Sequence, residues 1–470
     1  MNEEAGAGAG AGAGARMLLF RGNLLLPPAL AVCLLPLSLA LALFLSACSR
    51  SRPSSEALAH AQPPAIAPAT TLPSDEQVTE GSIRFLEARV QSDPDDFIAY
   101  NKLTSYYLQR QREVGDVKYL ELASRSVHAS LAAMPQEQNL GGLASLAQVE
   151  YAAHDFEAAR EHAEELTEYE PRKSYGYQLL GDALLELGEY DQANAAFERM
   201  RQFGGSSVTT ETRLARVAML HGETGEATRR YTIALNVALD ETPVSRETVA
   251  WCRWQLGETA FATGDYQTAE QHYKDALLTF PDYHRALFGL GKTRAALGDT
   301  EGAIEELERV VKRLPDPIYV AALGDVYRAA GREKEAAIQY ELVERIALLS
   351  ALNGTLYNRQ LALFRADHEL KVEDAYLAAK KEYELRRDIY GADALAWTAL
   401  KTGRIDEARS AIKDALRLGT LDAKLLYHAG MISRAAGDMG SARAYLQRAL
   451  KLNPQFDPLQ SIIAAKALSE

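Results

Sequence analysis

A chain of 470 residues with a formal net charge of −13 has room for several compact domains or for one long repeat array. Of its 51 basic and 64 acidic side chains only four and three lie in residues 1–74, so residues 75–470 carry −14. A body that acidic repels phosphate backbones, which excludes nucleic acid as a general partner, and three cysteines with two of them in the first 48 residues exclude a disulfide framework.

In chain order, residues 2–15 are an Ala/Gly run that cannot form a core, and Met17 is a second candidate start. Arg16 and Arg21 lead into an apolar stretch from Leu24 to Ala47, broken by Pro27, Pro28 and Pro36. It ends in Leu45-Ser46-Ala47-Cys48, after which the composition turns polar. This ending resembles the lipobox of bacterial lipoproteins, where small residues admit the signal peptidase and the cysteine is acylated. The resemblance implies a signal peptide over 1–48 and a lipidated Cys48. The body is then held on the periplasmic side of a bacterial envelope, with Ser49 compatible with transfer to the outer membrane. Acyl chains anchor by burying methylenes at ~0.8 kcal/mol each. The alternative is an uncleaved transmembrane helix, for which the stretch is long enough but its three prolines are unsuited. Either reading exports the body. Residues 49–74 are rich in Pro, Ser and Ala without helical period and read as a disordered tether, closed by Ser74 as a helix N-cap.

From about residue 97 to 456 a pattern recurs every ~34 residues, about ten times, the period of a stacked helix-pair array. Its clearest copies read Leu180-Gly181, Ala193, Phe197; Leu256-Gly257, Ala269, Tyr273, Pro281; Leu290-Gly291, Ala303, Leu307, Pro315; Leu323-Gly324, Ala336, Tyr340; and Gly430, Ala442, Leu446, Pro454. Small Gly and Ala let two helices of a unit approach, and the ring or leucine is expected to fill the space against the neighbouring unit. Gly188, Gly264, Gly298, Gly331, Gly403 and Gly437 are placed to end the first helix in a left-handed cap. Proline ends the second. The opening unit carries extra residues near Arg112–Tyr119, and further insertions lie near Leu235–Thr248, around Pro243, and near Leu349–Thr355. Residues 457–470 have apolar side chains at helical spacing and read as a capping helix.

These copies resemble the tetratricopeptide repeat family over about three quarters of the chain. The resemblance implies an all-α solenoid, a right-handed superhelix of helix-turn-helix repeats. It also implies a concave groove, lined by first helices, that takes a protein or peptide partner. Carried onto this sequence, the groove positions are Tyr175, Gln178 and Asp182; Trp251, Trp254, Glu258 and Phe261; Arg285, Phe288 and Lys292; Asp325 and Arg328. Trp251, Trp254, Phe261, Arg285, Phe288 and Lys292 are the favoured partner-binding set, because aromatic and cationic side chains cluster there and make good anchors. Against that, aromatics also pack repeats, so one of Trp251 and Trp254 is expected in the core.

No catalytic constellation, metal-ligand cluster or cofactor motif stands out. Gly291-Lys292-Thr293 lacks the earlier glycine of a phosphate loop and lies inside a repeat helix. Cys252 reads as a buried small hydrophobe. The expectation is an envelope-anchored scaffold that binds protein partners, possible sites being envelope-assembly or secretion complexes. The second reading is a structural, self-assembling subunit.

Overall fold

The structure, a computed structural model, describes residues 75–352 and 358–470. The expected signal segment with Cys48, the tether over 49–74 with Ser74, and the residues 353–355 lie outside them.

Every described element is a helix, and after the first they fall into pairs. Helix α1 (Asp75–Ser92) precedes ten of these: α2 (Phe97–Val114) with α3 (Lys118–Ala133), α4 (Leu140–Ala152) with α5 (Phe156–Tyr169), α6 (Ser174–Leu187) with α7 (Tyr190–Gly204), α8 (Val208–Leu220) with α9 (Thr224–Asp240), and α10 (Arg246–Ala262) with α11 (Tyr266–Thr279). There follow α12 (His284–Ala296) with α13 (Thr300–Arg313), α14 (Pro317–Ala329) with α15 (Glu333–Leu352), α16 (Asn358–Asp367) with α17 (Val372–Leu385), α18 (Ile389–Lys401) with α19 (Ile405–Ala415), and α20 (Ala423–Ala435) with α21 (Met439–Leu452). Helix α22 (Gln460–Ser469) packs on the last pair. The chain is an all-α helical solenoid.

Local chemistry explains the pairs. Gly188 and Gly298 end their first helices at φ +84° and +83°, a conformation that costs a residue with a Cβ. The aspartates that follow such turns cap the second helices. Asp265, Asp299 and Asp438 accept backbone N–H bonds from Thr268, Gly302 and Ser441, satisfying donors that a helix start leaves unpaired.

The ring expected against the neighbouring unit also fills a notch within its own. A Cβ on Gly181 would lie 2.4 Å from the Phe197 ring, and one on Gly257 2.5 Å from that of Tyr273, so each ring fills the notch in its own unit. Tyr273 also meets Gly289 of the following pair and is fully buried between the two. Tyr273 therefore joins its own pair and the next at equally close range.

The extra residues lengthen helices. Helices α9 and α10 have 17 residues each, joined through a cis Thr242–Pro243 bond, while α15 has 20 and α2 has 18. Successive first helices touch, α10 with α12, α12 with α14, and α14 with α16, so they line the inner side of the curved stack.

The curve closes on itself. Four turns between paired helices dock on distant chain, three on junctions between pairs five to six pairs later and the fourth on the junction between the last pair and α22. Gly115 abuts Leu314, and the Arg112 carbonyl faces His284. Gly188 abuts the Arg387 carbonyl, and the buried Ile389 N–H donates to Tyr190 Oη at 2.8 Å across 199 residues of chain. Gly222 abuts Gly419, and Thr420 donates to the Leu220 carbonyl at 2.5 Å across 200 residues. Gly264 abuts Leu452, and Tyr266 Oη donates to Asn453 at 2.6 Å across 187 residues. A Cβ added at Gly298, Gly331, Gly403 or Gly437, by contrast, meets nothing within 4 Å.

Candidate functional site: a cavity on the inner face

Helix α10 presents Glu258 and Phe261 one turn apart, and α12 presents Phe288 and Lys292 in the same way. Stacking the two helices brings all four together. The Lys292 ammonium sits 4.9 Å from the Phe261 ring and 4.8 Å from that of Phe288, and 3.3 Å from Glu258 Oε2. Cation–π attraction and the ion pair fix the lysine along the inner surface. Phe288 packs on Tyr319 of α14 at 4.7 Å between centroids.

Beside this group lies a cavity of about 250 Å³. Phe261, Phe288, Ala295, Ile318, Ala321, Ala322, Leu361 and Phe364 form its apolar walls, from α10, α12, α14 and α16. The segment Gln455–Pro458 between α21 and α22, together with Lys424 of α20, forms the remaining side. Its apolar lining suits uncharged side chains.

The charges around the cavity neutralise one another. Asp325 accepts from Tyr340 Oη at 2.8 Å and pairs with His368 Nε2 at 3.1 Å. Burial pushes the Asp325 carboxyl up, partly offset by these two partners. Lys424 reaches Asp367 at 2.8 Å and Asp457 at 3.7 Å. Burial works against the charge on both Asp367 and Lys424, but their attraction outweighs it and holds the acid below and the amine above its ordinary range. Trp397 Nε1 donates to the other Asp367 oxygen at 2.8 Å. Each of these charged groups thus has a partner within the protein.

The six favoured residues divide. Phe261, Phe288 and Lys292 line the cavity, and Asp325 joins them. Phe261 is only 9% exposed, a wall buried against Tyr266, and its carbonyl accepts from Asn453 at 2.7 Å. It is no exposed anchor. Trp251, Trp254 and Arg285 lie outside the cavity lining. The two tryptophans meet edge to face at 6.2 Å, both half-buried, where one was expected in the core. Trp251 packs on Tyr231, and Arg285 covers Trp254 at 5.0 Å. Asp182 is occupied by Arg213, Nε at 2.9 Å and Nη2 at 2.6 Å, and Tyr175 bonds Glu170. Leu361, Phe364, Lys424 and Phe456 were not anticipated. The first two belong to a degenerate repeat copy, and the last two reach the site only because the solenoid closes.

With the geometry established, comparison with known proteins places the repeats. Sequence models described as "Tetratricopeptide repeat" match residues 145–207, 260–326 and 394–455. "TPR repeat-containing protein YpiA" of Bacillus subtilis (strain 168) is 24% identical over 282 residues, covering 58% of this chain and 62% of that protein. "Tetratricopeptide repeat protein 36" of Danio rerio is 30% identical over 112 residues, covering 23% of this chain and 56% of that protein. The chain thus spans about three fifths of the length of these curated relatives. Two crystal structures of MamA align at 20% identity with TM-scores of 0.30 and 0.29, over 37% and 38% of this chain and 96% and 93% of theirs. Over those three stretches the paired helices, with their small-residue notches, ring fillers and glycine turns, match the tetratricopeptide repeat.

Proposed function

We propose that the protein is an envelope-anchored scaffold whose inner cavity receives one or two apolar side chains of a protein partner, in an envelope-assembly or secretion complex. The observation that carries this reading is the apolar cavity on the first-helix face, with walls held rigid by internally neutralised charges. A pocket built this way uses burial for affinity and shape for choice of partner. The acidic body keeps nucleic acid away, and the lipobox-like Leu45-Ser46-Ala47-Cys48 supports the anchor.

The second reading is a structural, self-assembling subunit, to which none of the contacts described above points.

The test is a crosslinked pull-down from intact cells, wild type against Ala322→Phe, which fills the cavity without touching the repeat notches. A discrete partner held by wild type and lost in the variant supports the scaffold. A partner set unchanged in a folded variant overturns the cavity as its site. For the anchor, Cys48→Ser should abolish acyl labelling and leave a heavier, unprocessed chain; equal masses would refute it.

A further inference from the structure

From α8 to α20, among the described residues, every lysine and arginine of a first helix has a hydrogen-bonded or ion-paired partner except Arg285. Arg285 is half-buried, with its Cζ 5.0 Å from the Trp254 ring. The indole attracts the charge but offers no lone pair to the five guanidinium N–H donors. The two acids within its field are engaged elsewhere. Asp316 accepts the Ile318 N–H at 2.8 Å, and Glu247 accepts a hydrogen bond from Tyr283. Burial pushes both carboxyls up, and Arg285 is among the groups that oppose it. Along α12, Arg285 stands three residues before Phe288, a wall of the cavity. The two side chains therefore leave the helix roughly 5 Å apart along its axis, on neighbouring turns.

We propose that Arg285 is a second anchor point, which takes the side-chain carboxylate of a partner's aspartate or glutamate while a nearby apolar side chain of the same segment fills the cavity. The spacing on α12 sets the partner's pattern: acid and apolar residue about one helical turn apart, or about two residues apart in extended chain. The inference rests on the cavity being the partner site, and it adds the charge that must accompany the apolar group. The complementarity is local. An acidic body does not draw carboxylates in from a distance, so an acid is favoured only where a cation lacks a partner. At that point the planar guanidinium can hold both carboxylate oxygens, and the half-buried setting beside Trp254 strengthens the pair relative to open water. Lys292, the other cation near Phe288, is already paired with Glu258 at 3.3 Å.

The full-length chain is titrated into peptides labelled with an uncharged dye and amidated at the C-terminus, and binding is read by fluorescence anisotropy. Each peptide holds one Leu or Phe in a Gly/Ser host, with Asp, or Asn in its place, at one of the positions within four residues of it. At one or more spacings the Asp peptide should bind about tenfold or more tightly than its Asn counterpart, and added salt should shrink that preference. Arg285→Gln should abolish the preference. Arg285→Lys keeps a charge beside Glu247 and Asp316, so it carries the test if Arg285→Gln disturbs folding, and it should retain only part of the preference because an ammonium lacks the planar fork. Ala322→Phe should weaken the Asp and Asn peptides alike. Equal binding of Asp and Asn peptides at every spacing, or a preference unchanged in both Arg285 variants, overturns the anchor and leaves the cavity reading standing. Binding that Ala322→Phe leaves untouched, with the Asp preference intact, sinks the cavity reading and the paired spacing with it. No binding of any peptide overturns both.

Discussion

Gly188→Ala and Gly298→Ala separate the cost of a left-handed turn from the cost of breaking a contact between turns of the solenoid. Both glycines end a first helix at nearly the same angle, φ +84° and +83°. Either alanine therefore costs about 1 kcal/mol of backbone strain. Their surroundings differ completely. At Gly298 the new methyl meets nothing within 4 Å, whereas at Gly188 it lies 2.5 Å from the Arg387 carbonyl oxygen and 2.8 Å from the Asp388 nitrogen. These are backbone atoms, and they cannot swing aside as a side chain can. They are also tied down, since Arg417 donates to the Arg387 carbonyl at 2.7 Å and Ile389 N–H to Tyr190 at 2.8 Å. Overpacking of this sort costs about 1–3 kcal/mol, and a buried Ile389 N–H left without a partner costs about as much again. Gly188→Ala should then exceed Gly298→Ala by about 2–3 kcal/mol locally. Repeat arrays unfold in segments, so the quantity to follow is amide exchange over 386–391. There, Gly188→Ala should speed exchange by roughly 30-fold or more, a factor of ten per ~1.4 kcal/mol, and Gly298→Ala should leave it unchanged. Equal effects of the two variants on that segment would refute the docked-turn argument.

Other expectations follow from the same contacts. Gly257→Ala drives a methyl to 2.5 Å from the fully buried Tyr273 ring, and should lower urea stability of the middle units by about 1–3 kcal/mol; a midpoint like that of wild type would count against the notch. His284 is 6% exposed and bridges Tyr319 and the Arg112 carbonyl, and burial, aided by Arg285, pushes its imidazole down to about 4. The folded state thus excludes a proton that the unfolded chain takes up near pH 6.5. Stability should fall as pH drops from about 6.5 to about 4, by up to about 3 kcal/mol, and His284→Gln should flatten that slope; parallel slopes would refute it. Cys252 is fully buried, and burial, with Glu247 and Glu241 nearby, pushes its thiol up to about 12. Native protein at pH 8 should resist iodoacetamide there while urea-unfolded protein reacts, and equal rates would overturn the assignment.

The docked contact at Gly188 also concentrates charge. Glu186 lies 2.5 Å from both Arg216 and Arg386, and Arg359 joins Glu382 at 2.8 Å and Asp388 at 2.6 Å. Burial alone would raise the Glu186 carboxyl, but the guanidinium groups of Arg216, Arg386 and Arg359 outweigh it and hold it low. Arg386 also covers the Phe156 ring at 4.5 Å. Geometry this specific favours one register between successive turns, which a purely apolar contact would not.

Much of this architecture is legible in the residues themselves. A 34-residue period, a glycine facing a ring (Gly181 and Phe197, Gly257 and Tyr273), and glycine turns followed by a capping aspartate are local patterns. Each is satisfied within one pair or between adjacent pairs, so periodicity and spacing suffice to read them. The contacts across 187–200 residues are of another kind. They depend on the small rotation from each pair to the next, summed over more than five pairs and altered by the lengthened α9, α10 and α15. Nothing local marks Tyr190 and Tyr266 as bridging residues, Asn453 as the partner of Tyr266, or Lys424 and Phe456 as sharing a cavity with Phe288. The same closure turns Phe261 from an expected anchor into a wall. Sequence determined the repeat and its helices, because those interactions are near neighbours; tertiary structure alone decided the cavity and the contacts between distant turns, because they exist only where the curve of the array returns to itself.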